Sequence, residues 1–426
     1  MPARFEGSFY EATARRGRER APLKGDQRFD VGIIGGGYTG LSAALHLRAR
    51  GLRVAVLEKE RVGAGASGRN GGQVITGQRV DQDVLESKFG EDRARSLWNL
   101  ALDAKSLVRS LITDHAIACD MVPSHITAAA KPSHARHLES YAEHVASRYG
   151  YTAGRFVSRA ELPTLVASER YFGGYIDSDA FHIHPLAYAL GLARAAEAAG
   201  ATIYEISRVI GIDRGKKLRL ATSGGSIDCN FAIVACNGYL GGLVPDIEGH
   251  VLPINNYLVA TEPLGEARAN ALIPSRAAVA DTKFVLDYYR LSADQRLIFG
   301  GGESYGSTVP PDIGEFVRPY LERAFPQLKG VAIDYAWEGT LAITLPRLPH
   351  VGRIGANLFF AQGYSGQGVA IATHMGKLIA DAIAGEGEKF AVYESLKVPE
   401  IPGGSLLRRP LLTLGMMWYA LRDRLP

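Results

Sequence analysis

The stretch from Phe29 to Glu60 constrains the fold of this chain more than any other segment. It opens with the apolar run Val31 to Ile34, which is typical of a buried parallel strand. Three glycines in G-x-G-x-x-G spacing follow, then a helical pattern that stops at Gly51, a second apolar strand and the acid Glu58. This order of elements is typical of a unit that binds a dinucleotide. The sequence therefore predicts a dinucleotide site on a Rossmann-like domain.

Each position of this motif has a physical role in such a site. Gly35 allows the tight turn, Gly37 lets the backbone approach the pyrophosphate, and Gly40 lets the helix pack closely on its strand. The helix N-terminus supplies N–H groups and a partial positive charge for phosphate. Glu58 lies 18 residues after Gly40, where a carboxylate accepts the ribose hydroxyls and repels a 2′-phosphate. The predicted contacts of this unit also include Tyr38, Thr39 and Lys59.

Length, charge and cysteine usage restrict the class of protein. A chain of 426 residues buries a large core and is expected to divide into two domains. Its 48 basic and 44 acidic residues give a net charge of +4, too little for nucleic-acid binding without a strong basic cluster. The N-terminus lacks a signal-peptide pattern, and no run approaches the ~20 apolar residues of a membrane-spanning helix. The three cysteines have neither metal nor disulfide spacing, so we expect a cytoplasmic protein without a metal site.

Two further glycine-rich motifs favour FAD over NAD, because the flavin and its ribityl chain need a longer cradle. The first, GASGRNGGQ from Gly65 to Gln73, offers a hydroxyl, a guanidinium and backbone amides for pyrophosphate and flavin. The second, Gly363 to Val369, opens a helix whose dipole stabilises negative charge on a reduced flavin. A flexible loop and a simple helix cap are the structural alternatives for these two motifs.

The rest of the chain alternates between two patterns of secondary structure. Strand–helix patterns return around residues 181–247 and after 341, whereas residues 250 to 335 show alternating, aromatic-rich strands typical of an antiparallel sheet. We therefore predict an α/β fold in which a Rossmann-like FAD-binding domain is interleaved with a mainly antiparallel β-sheet substrate domain. The predicted segments are an N-terminal arm at 1–28, the FAD-binding domain at 29–112, 181–247 and 341–395, the substrate domain at 113–180 and 248–340, and a C-terminal tail with a helix at 396–426.

The chain resembles the D-amino-acid-oxidase-type FAD-dependent oxidoreductases. The resemblance spans nearly the whole chain and includes the strings SFYEATA, GASGRNGGQ, HIHPL, CNGYLGG, DYYRLSADQRLIFGGG and QGYSGQGVA. It implies FAD as cofactor and oxidation of a C–N bond. A hydride passes from an amine C–H to flavin N5, the resulting imine hydrolyses to an aldehyde, and O2 or another acceptor reoxidises the flavin. The implied substrate is a small-molecule amine, gamma-glutamylputrescine or a related polyamine-derived amine.

Carried over residue by residue, the resemblance also implies the cofactor contacts. Gly35, Gly37 and Gly40 would contact pyrophosphate, and Glu58 the adenosine ribose. The backbone of Val209 would meet adenine. The other predicted cofactor residues are Ala66, Ser67, Gly68, Arg69, Asn70, Gly72, Gln73, Ala235, Gly363, Gly366, Gln367, Gly368 and Val369. The side chains to which flavins are usually attached are cysteine and histidine. No cysteine lies near Gly363–Gly368 and no histidine lies in Gly65–Gln73, so we predict that FAD is bound non-covalently.

Five side chains are predicted to face the substrate. Trp337 and Tyr364 are candidates for an aromatic cage around an amine, with ordinary core packing as the alternative. Arg290, beside Tyr289, is a candidate for binding a carboxylate at the far end of the substrate, with a salt bridge as the alternative. His184 is a candidate catalytic group that precedes a helix, where capping is favoured.

Three questions stay open at the level of sequence. This branch of the family commonly has His where Gln367 lies, and Gln carries no titratable proton at neutral pH, so the chain departs from the family pattern at this position. The alternative functions are oxidation of a secondary amine or an N-methyl or cyclic amino acid, and a non-catalytic FAD-binding module. For the C-terminal helix, docking on its own protein is favoured over contact with a membrane surface.

Overall fold

The computed structural model describes residues 7–304 and 309–402. Its helices in this part of the chain are α1 (Phe9–Thr13), α2 (Tyr38–Ala49), α3 (Gln82–Phe89), α4 (Glu91–Asp114), α5 (Pro132–Tyr149), α6 (Pro185–Ala198), α7 (Pro245–Glu248), α8 (Glu266–Leu272), α9 (Ile313–Ala324), α10 (Gly368–Ile383) and α11 (Glu388–Glu394). The tail predicted at 396–426 is described as far as residue 402, and its predicted helix lies outside the described residues.

Strands in the same ranges build three sheets. They are β1 (Gly25–Arg28), β2 (Val31–Ile34), β3 (Val54–Leu57), β4 (Gln73–Val74), β5 (Val122–Ala128), β6 (Gly154–Ser158), β7 (Gly173–His182), β8 (Thr202–Tyr204), β9 (Val209–Asp213), β10 (Leu218–Thr222), β11 (Gly225–Cys229), β12 (Phe231–Val234), β13 (Leu252–Thr261), β14 (Ala278–Asp281), β15 (Tyr288–Leu291), β16 (Leu297–Ser304), β17 (Ile333–Ile343), β18 (His350–Ile354) and β19 (Leu358–Gln362).

The central sheet of the α/β part has the order β18-β19-β12-β2-β3-β8. Its strands run parallel except for β18, which is antiparallel to β19. All four residues of β2 are buried, because both faces of a parallel sheet are covered. The chain passes from β2 through α2 to β3, which confirms the predicted strand–helix–strand unit.

Helices cover one face of this sheet and a second, small sheet covers the other. Helices α2, α6 and α10 pack together, with α4 against α10. The small sheet has the order β1-β11-β10-β9, and its Leu220 and Ile227 share a core with Ala55 and Val234 of the central sheet. The predicted arm at 1–28 is more ordered than its composition indicated. It contains α1, which buries Tyr10 completely, and β1, which pairs in parallel with β11.

The third sheet is the large one, with the order β17-β13-β16-β15-β14-β5-β7-β4 and β6 paired to β7. Its pairs are antiparallel except for β14 with β5, so the predicted fold class is confirmed. Helix α9 packs on its β13 and β16 strands; this helix was not expected among the predicted strands of residues 250–335. Among the described helices, none has both the length and the hydropathy needed to cross a bilayer.

Candidate active site

The glycine turn between β2 and α2 is fixed by two close backbone approaches. Gly35 has φ +111°, and a Cβ there would lie 2.7 Å from the carbonyl oxygen of Ala235. A Cβ at Gly40 would lie 2.0 Å from the carbonyl oxygen of Gly35, so only glycine lets α2 pack this closely on its strand. Gly37 is the N-cap of α2. The free amides of the helix therefore begin where the turn ends.

Glu58 follows the last residue of β3 and is buried. Its Oε2 accepts a hydrogen bond from the backbone N–H of Gly36 at 2.7 Å, and its Oε1 accepts one from Glu60 N–H at 2.9 Å. Burial raises the pKa of the Glu58 carboxyl, and these two amide hydrogen bonds oppose that increase. Glu58 thus links the glycine turn to the end of β3 and presents a carboxylate beside it.

A cavity of about 660 Å³ begins at this carboxylate. It extends past the glycine turn and reaches the second turn at Gly366 and the strand residues of β17. The predicted cofactor residues that line it are Gly35, Gly37, Tyr38, Thr39, Glu58, Lys59, Ala66, Ser67, Arg69, Asn70, Gln73, Val209, Ala235, Gly366, Gly368 and Val369. The predicted cofactor residues that are outside its lining are Gly40, Gly68, Gly72, Gly363 and Gln367.

The segment Gly65–Gln73 forms one wall of the cavity and is held by its own polar side chains. Ser67 Oγ accepts from the backbone N–H of Tyr38 at 3.0 Å. Arg69 donates from Nε to the carbonyl of Ala64 at 2.8 Å and from Nη1 to that of Glu338 at 3.2 Å. These contacts join the wall to α2 on one side and to β17 on the other, so helix α2 and the large sheet together fix its shape.

The second glycine turn, Gly363–Val369, also contributes to the cavity lining. The backbone N–H of Gly363 donates to Asn237 Oδ1 at 2.9 Å, and the hydroxyls of Tyr364 and Thr39 lie 2.6 Å apart. Gln367 Nε2 donates to the carbonyl of Gly77 at 2.6 Å. Helix α10 begins at the next residue. The side chain of Gln367 therefore joins this turn to the segment after β4 instead of facing the cavity.

These residues fit FAD. The N-termini of helices α2 and α10 both line this cavity. Their free amides and positive partial charge suit a pyrophosphate and an electron-rich ring. Glu58 would hold the adenosine ribose, and the Gly65–Gln73 wall would hold the chain that leads to the flavin.

The structure places Tyr364 in the cavity lining but not the other four predicted substrate-facing residues. Trp337 is 2% exposed, and its Nε1 donates to the carbonyl of Arg69 at 3.1 Å. Tyr289 is in the apolar core on the other side of the sheet, where its ring stacks on Phe299 with a centroid distance of 5.6 Å. Both side chains have packing roles in this geometry.

His184 and Arg290 are likewise engaged within the protein. His184 is the N-cap of α6, where Nδ1 accepts from the backbone N–H of Ala187 at 3.1 Å. Burial and, to a smaller degree, the nearby Arg290 lower the pKa of His184 to about 4. Arg290 is 3% exposed, and its Nε donates to the carbonyl of Gly71 at 2.8 Å. The structure therefore gives no support to a substrate contact for either residue.

Other side chains line the cavity beyond the glycine turns, and the sequence analysis did not single them out. They are Arg79, Asn256, Leu258, Phe284, Leu286, Tyr288, Leu341, Ile343 and Arg347. The hydroxyl of Tyr288 donates to Asn256 Oδ1. Strand alternation was the signal available for Tyr288, because it places Tyr288 and Arg290 on the face opposite Tyr289.

This fold and cavity define a class of protein, the flavoproteins in which a Rossmann-like unit and a mainly antiparallel sheet together line the cavity that would hold FAD. The chain belongs to the DAO family of FAD-dependent oxidoreductases, whose family model matches residues 30–382. FAD is accordingly its cofactor.

Relatives of known sequence match nearly the whole chain. Gamma-glutamylputrescine oxidoreductase of Escherichia coli (strain K12) is 40% identical over 419 residues, covering 98% of this chain and 98% of that protein. The probable oxidoreductase OrdL of Rhizobium meliloti (strain 1021) is 39% identical over 419 residues, covering 98% and 97%. The crystal structure of glycine oxidase from Geobacillus kaustophilus has a TM-score of 0.69 at 22% identity, covering 84% of this chain and 95% of that one, and is evidence for the fold alone.

Proposed function

We propose that this FAD-dependent oxidoreductase oxidises the terminal primary amine of gamma-glutamylputrescine or of a closely related polyamine-derived amine. The observation that supports this substrate is the 40% identity to gamma-glutamylputrescine oxidoreductase, which extends over 98% of both chains. The proposal places the enzyme in the cytoplasm, in keeping with three cysteines that are not joined in disulfides.

The cavity wall supports an uncharged aliphatic amine as the reacting group. Leu258, Leu286 and Ile343 line the cavity together with the ring of Tyr288, and such a wall packs against methylene groups and excludes water. Among the described lining residues the carboxylate is that of Glu58, at the ribose end. An ammonium ion therefore finds no opposite charge near the second glycine turn, which favours the neutral amine that the reaction requires.

When bound, FAD supplies a two-electron acceptor, so that the amine loses a C–H as hydride and an N–H proton, and the imine is hydrolysed by water to an aldehyde and ammonia. The protein's own contribution is to position and desolvate the substrate. Tyr288, fixed by its hydrogen bond to Asn256, and the aliphatic wall would orient the amine. The N-terminus of α10 favours negative charge at the Gly366–Gly368 end of the cavity.

Anaerobic mixing of the purified holoprotein with gamma-glutamylputrescine tests the proposal. We expect the flavin absorbance to bleach within seconds, and O2 or another acceptor to restore it. N-Methyl and cyclic amino acids are the comparison substrates, because they represent the secondary-amine alternative. Faster bleaching by one of these than by gamma-glutamylputrescine would replace the proposed substrate. Absence of bleaching by any amine would favour a non-catalytic FAD-binding module.

A further inference from the structure

Helix α4 carries a buried lysine, Lys105, of which 1% is exposed. Its Nζ donates to Thr76 Oγ1 at 2.6 Å and to the hydroxyl of Tyr151 at 2.8 Å, and it lies 2.6 Å from Asp179 Oδ2. The three N–H groups of the ammonium therefore have three acceptors. An apolar side chain of similar length would fill this space without the cost of burying a charge, so the packing of α4 does not by itself explain the lysine.

Asp177 of strand β7 is also buried and completes a network with Lys105, Thr76 and Tyr151, called the buried network below. Its Oδ1 accepts from the hydroxyl of Tyr151 at 2.7 Å and from the backbone N–H of Asp179 at 3.0 Å, and its Oδ2 accepts from Thr76 Oγ1. Because an ammonium only donates, both hydroxyls accept from the lysine and donate to the carboxylate. The network thereby fixes the side chain of Thr76 against α4 and β7.

The backbone beside this side chain holds the second glycine turn. The carbonyls of Thr76 and Gly77 accept from Gln367 Nε2 at 3.4 and 2.6 Å. Gln367 is the N-cap residue of α10 and lies between Gly366 and Gly368, which have no side chains to anchor the turn. The Gln367 side chain is therefore the link through which the buried network reaches the start of α10.

The start of α10 lines the cavity at Gly366, Gly368 and Val369. The free amides of a helix N-terminus carry positive partial charge, and their effect falls off within the first turn. The strength of this charge in the cavity therefore depends on where the helix begins. The four residues of the buried network are outside the described lining, so they act on the cavity through Gln367 and not by direct contact.

We propose that Lys105 is a positioning residue that acts through Thr76 and Gln367 on the first amides of α10. The intact network holds the start of the helix so that these amides would face the negative charge that a reduced flavin carries. Breaking the network then makes the flavin harder to reduce while FAD stays bound. The inference uses the family membership of the chain and holds whichever amine is oxidised.

The reduction potential of the flavin in the holoprotein, measured by equilibration with a reference dye, tests the proposal without any amine. Lys105→Met and Thr76→Val should each lower the equilibrium constant for two-electron reduction about fivefold, as expected when one hydrogen-bonded link is lost. The ratio of FAD to protein should stay the same. Thr76→Ser keeps the hydroxyl and should return the potential to that of the wild type.

Hydrogen exchange gives a second measurement that is independent of the potential. Peptides that contain Gly363–Val369 should exchange faster in Thr76→Val than in the wild type or in Thr76→Ser. Lys389→Met is the matched control, because Lys389 also pairs with an acid of α4, Asp103, but on the surface. This control should change neither the potential nor the exchange of the turn. Thr76→Val removes one hydroxyl at nearly constant shape, so it decides the test if Lys105→Met does not fold.

A double-mutant cycle distinguishes positioning from a general loss of stability. If the buried network acts through Gln367, Thr76→Val should have almost no further effect on the potential when Gln367 is already replaced in Gln367→Leu. An unchanged potential in Thr76→Val, or the same decrease with and without Gln367, would overturn the proposal even if the thermal stability falls. If no amine reduces the flavin but the potential follows the cycle, the positioning role stands and the proposed function fails.

Discussion

Arg290 Nε lies 2.8 Å from the carbonyl oxygen of Gly71 and donates a hydrogen bond to it. The same guanidinium donates from Nη2 to the hydroxyl of Tyr10 at 3.3 Å. The side chain therefore joins strand β15 of the large sheet, the Gly65–Gln73 wall of the cofactor cavity and the N-terminal helix α1. Because the guanidinium is buried, its loss would leave these acceptors without their donor.

Arg290→Met should accordingly weaken FAD binding. A charge-assisted hydrogen bond contributes about 1.5–3 kcal/mol, so the dissociation constant of FAD should increase at least about tenfold. Fluorescence titration of the apoprotein with FAD measures this change. Arg155→Met is the matched control, because Arg155 pairs with Glu161 on the surface. Unchanged FAD affinity together with an increased KM for gamma-glutamylputrescine would restore the substrate role first predicted for Arg290.

Glu58→Ala should weaken FAD binding more strongly. The substitution removes two charge-assisted hydrogen bonds to the ribose, which contribute of order 3 kcal/mol together if each contributes ~1.5. This loss lowers the affinity for FAD on the order of a hundredfold. The glycine turn also loses the acceptor of the Gly36 N–H. The FAD-to-protein ratio after purification measures the effect. Glu60→Ala, which removes an exposed acid paired with Lys59, should retain full occupancy. Full occupancy of Glu58→Ala would show that Glu58 has another role.

Acid precipitation should release FAD into the supernatant. The described cavity lining contains no histidine, and its cysteine is Cys236. Its Sγ lies 3.5 Å from the carbonyl oxygen of Ile34, near the ribose end. Burial raises the pKa of this thiol to about 12, so it is not a nucleophile at neutral pH. Yellow colour that remains in the protein pellet would contradict a non-covalent flavin.

Most of the predicted cofactor residues line the cavity, whereas Tyr364 alone of the predicted substrate-facing residues does so, and the difference has a physical reason. The unit from Val31 to Glu58 is local, so its spacing alone determines which glycine meets which strand. The substrate wall depends on how distant strands pair. Tyr288 and Tyr289 are adjacent tyrosines that sequence does not distinguish. The register of β15 with β16 determines that Tyr288 lines the cavity and that Tyr289 packs in the core.

Gln367→Leu should weaken substrate binding with little effect on FAD affinity. The Gln367 side-chain amide donates to the carbonyl of Gly77 at 2.6 Å. Arg79, two residues later, lines the cavity, so loss of this hydrogen bond loosens a segment of the cavity wall. A neutral hydrogen bond contributes about 1 kcal/mol, which predicts a KM for gamma-glutamylputrescine increased roughly fivefold. Gln327→Leu is the matched control, because Gln327 makes a similar amide–carbonyl bond to Ala167 on the surface. Loss of flavin in place of the KM increase would mean that Gln367 serves the cofactor.

The buried histidines should make the protein unstable in mild acid. Burial lowers the pKa of His125 to about 4, of His182 to about 3 and of His184 to about 4. An unfolded histidine has a pKa of about 6.5, so below this pH the unfolded chain binds protons that the folded chain does not. Stability is then fully present above pH ~6.5 and decreases as the pH falls towards 4, by up to about 1.4 kcal/mol per pH unit for each histidine.

Thermal unfolding with saturating FAD between pH 7.5 and 5 should show a falling Tm. His184→Asn retains a side-chain acceptor for the Ala187 N–H and removes one titrating group, so its Tm should decrease less steeply with acid. An equally steep decrease in His184→Asn would exclude His184 from the proton uptake.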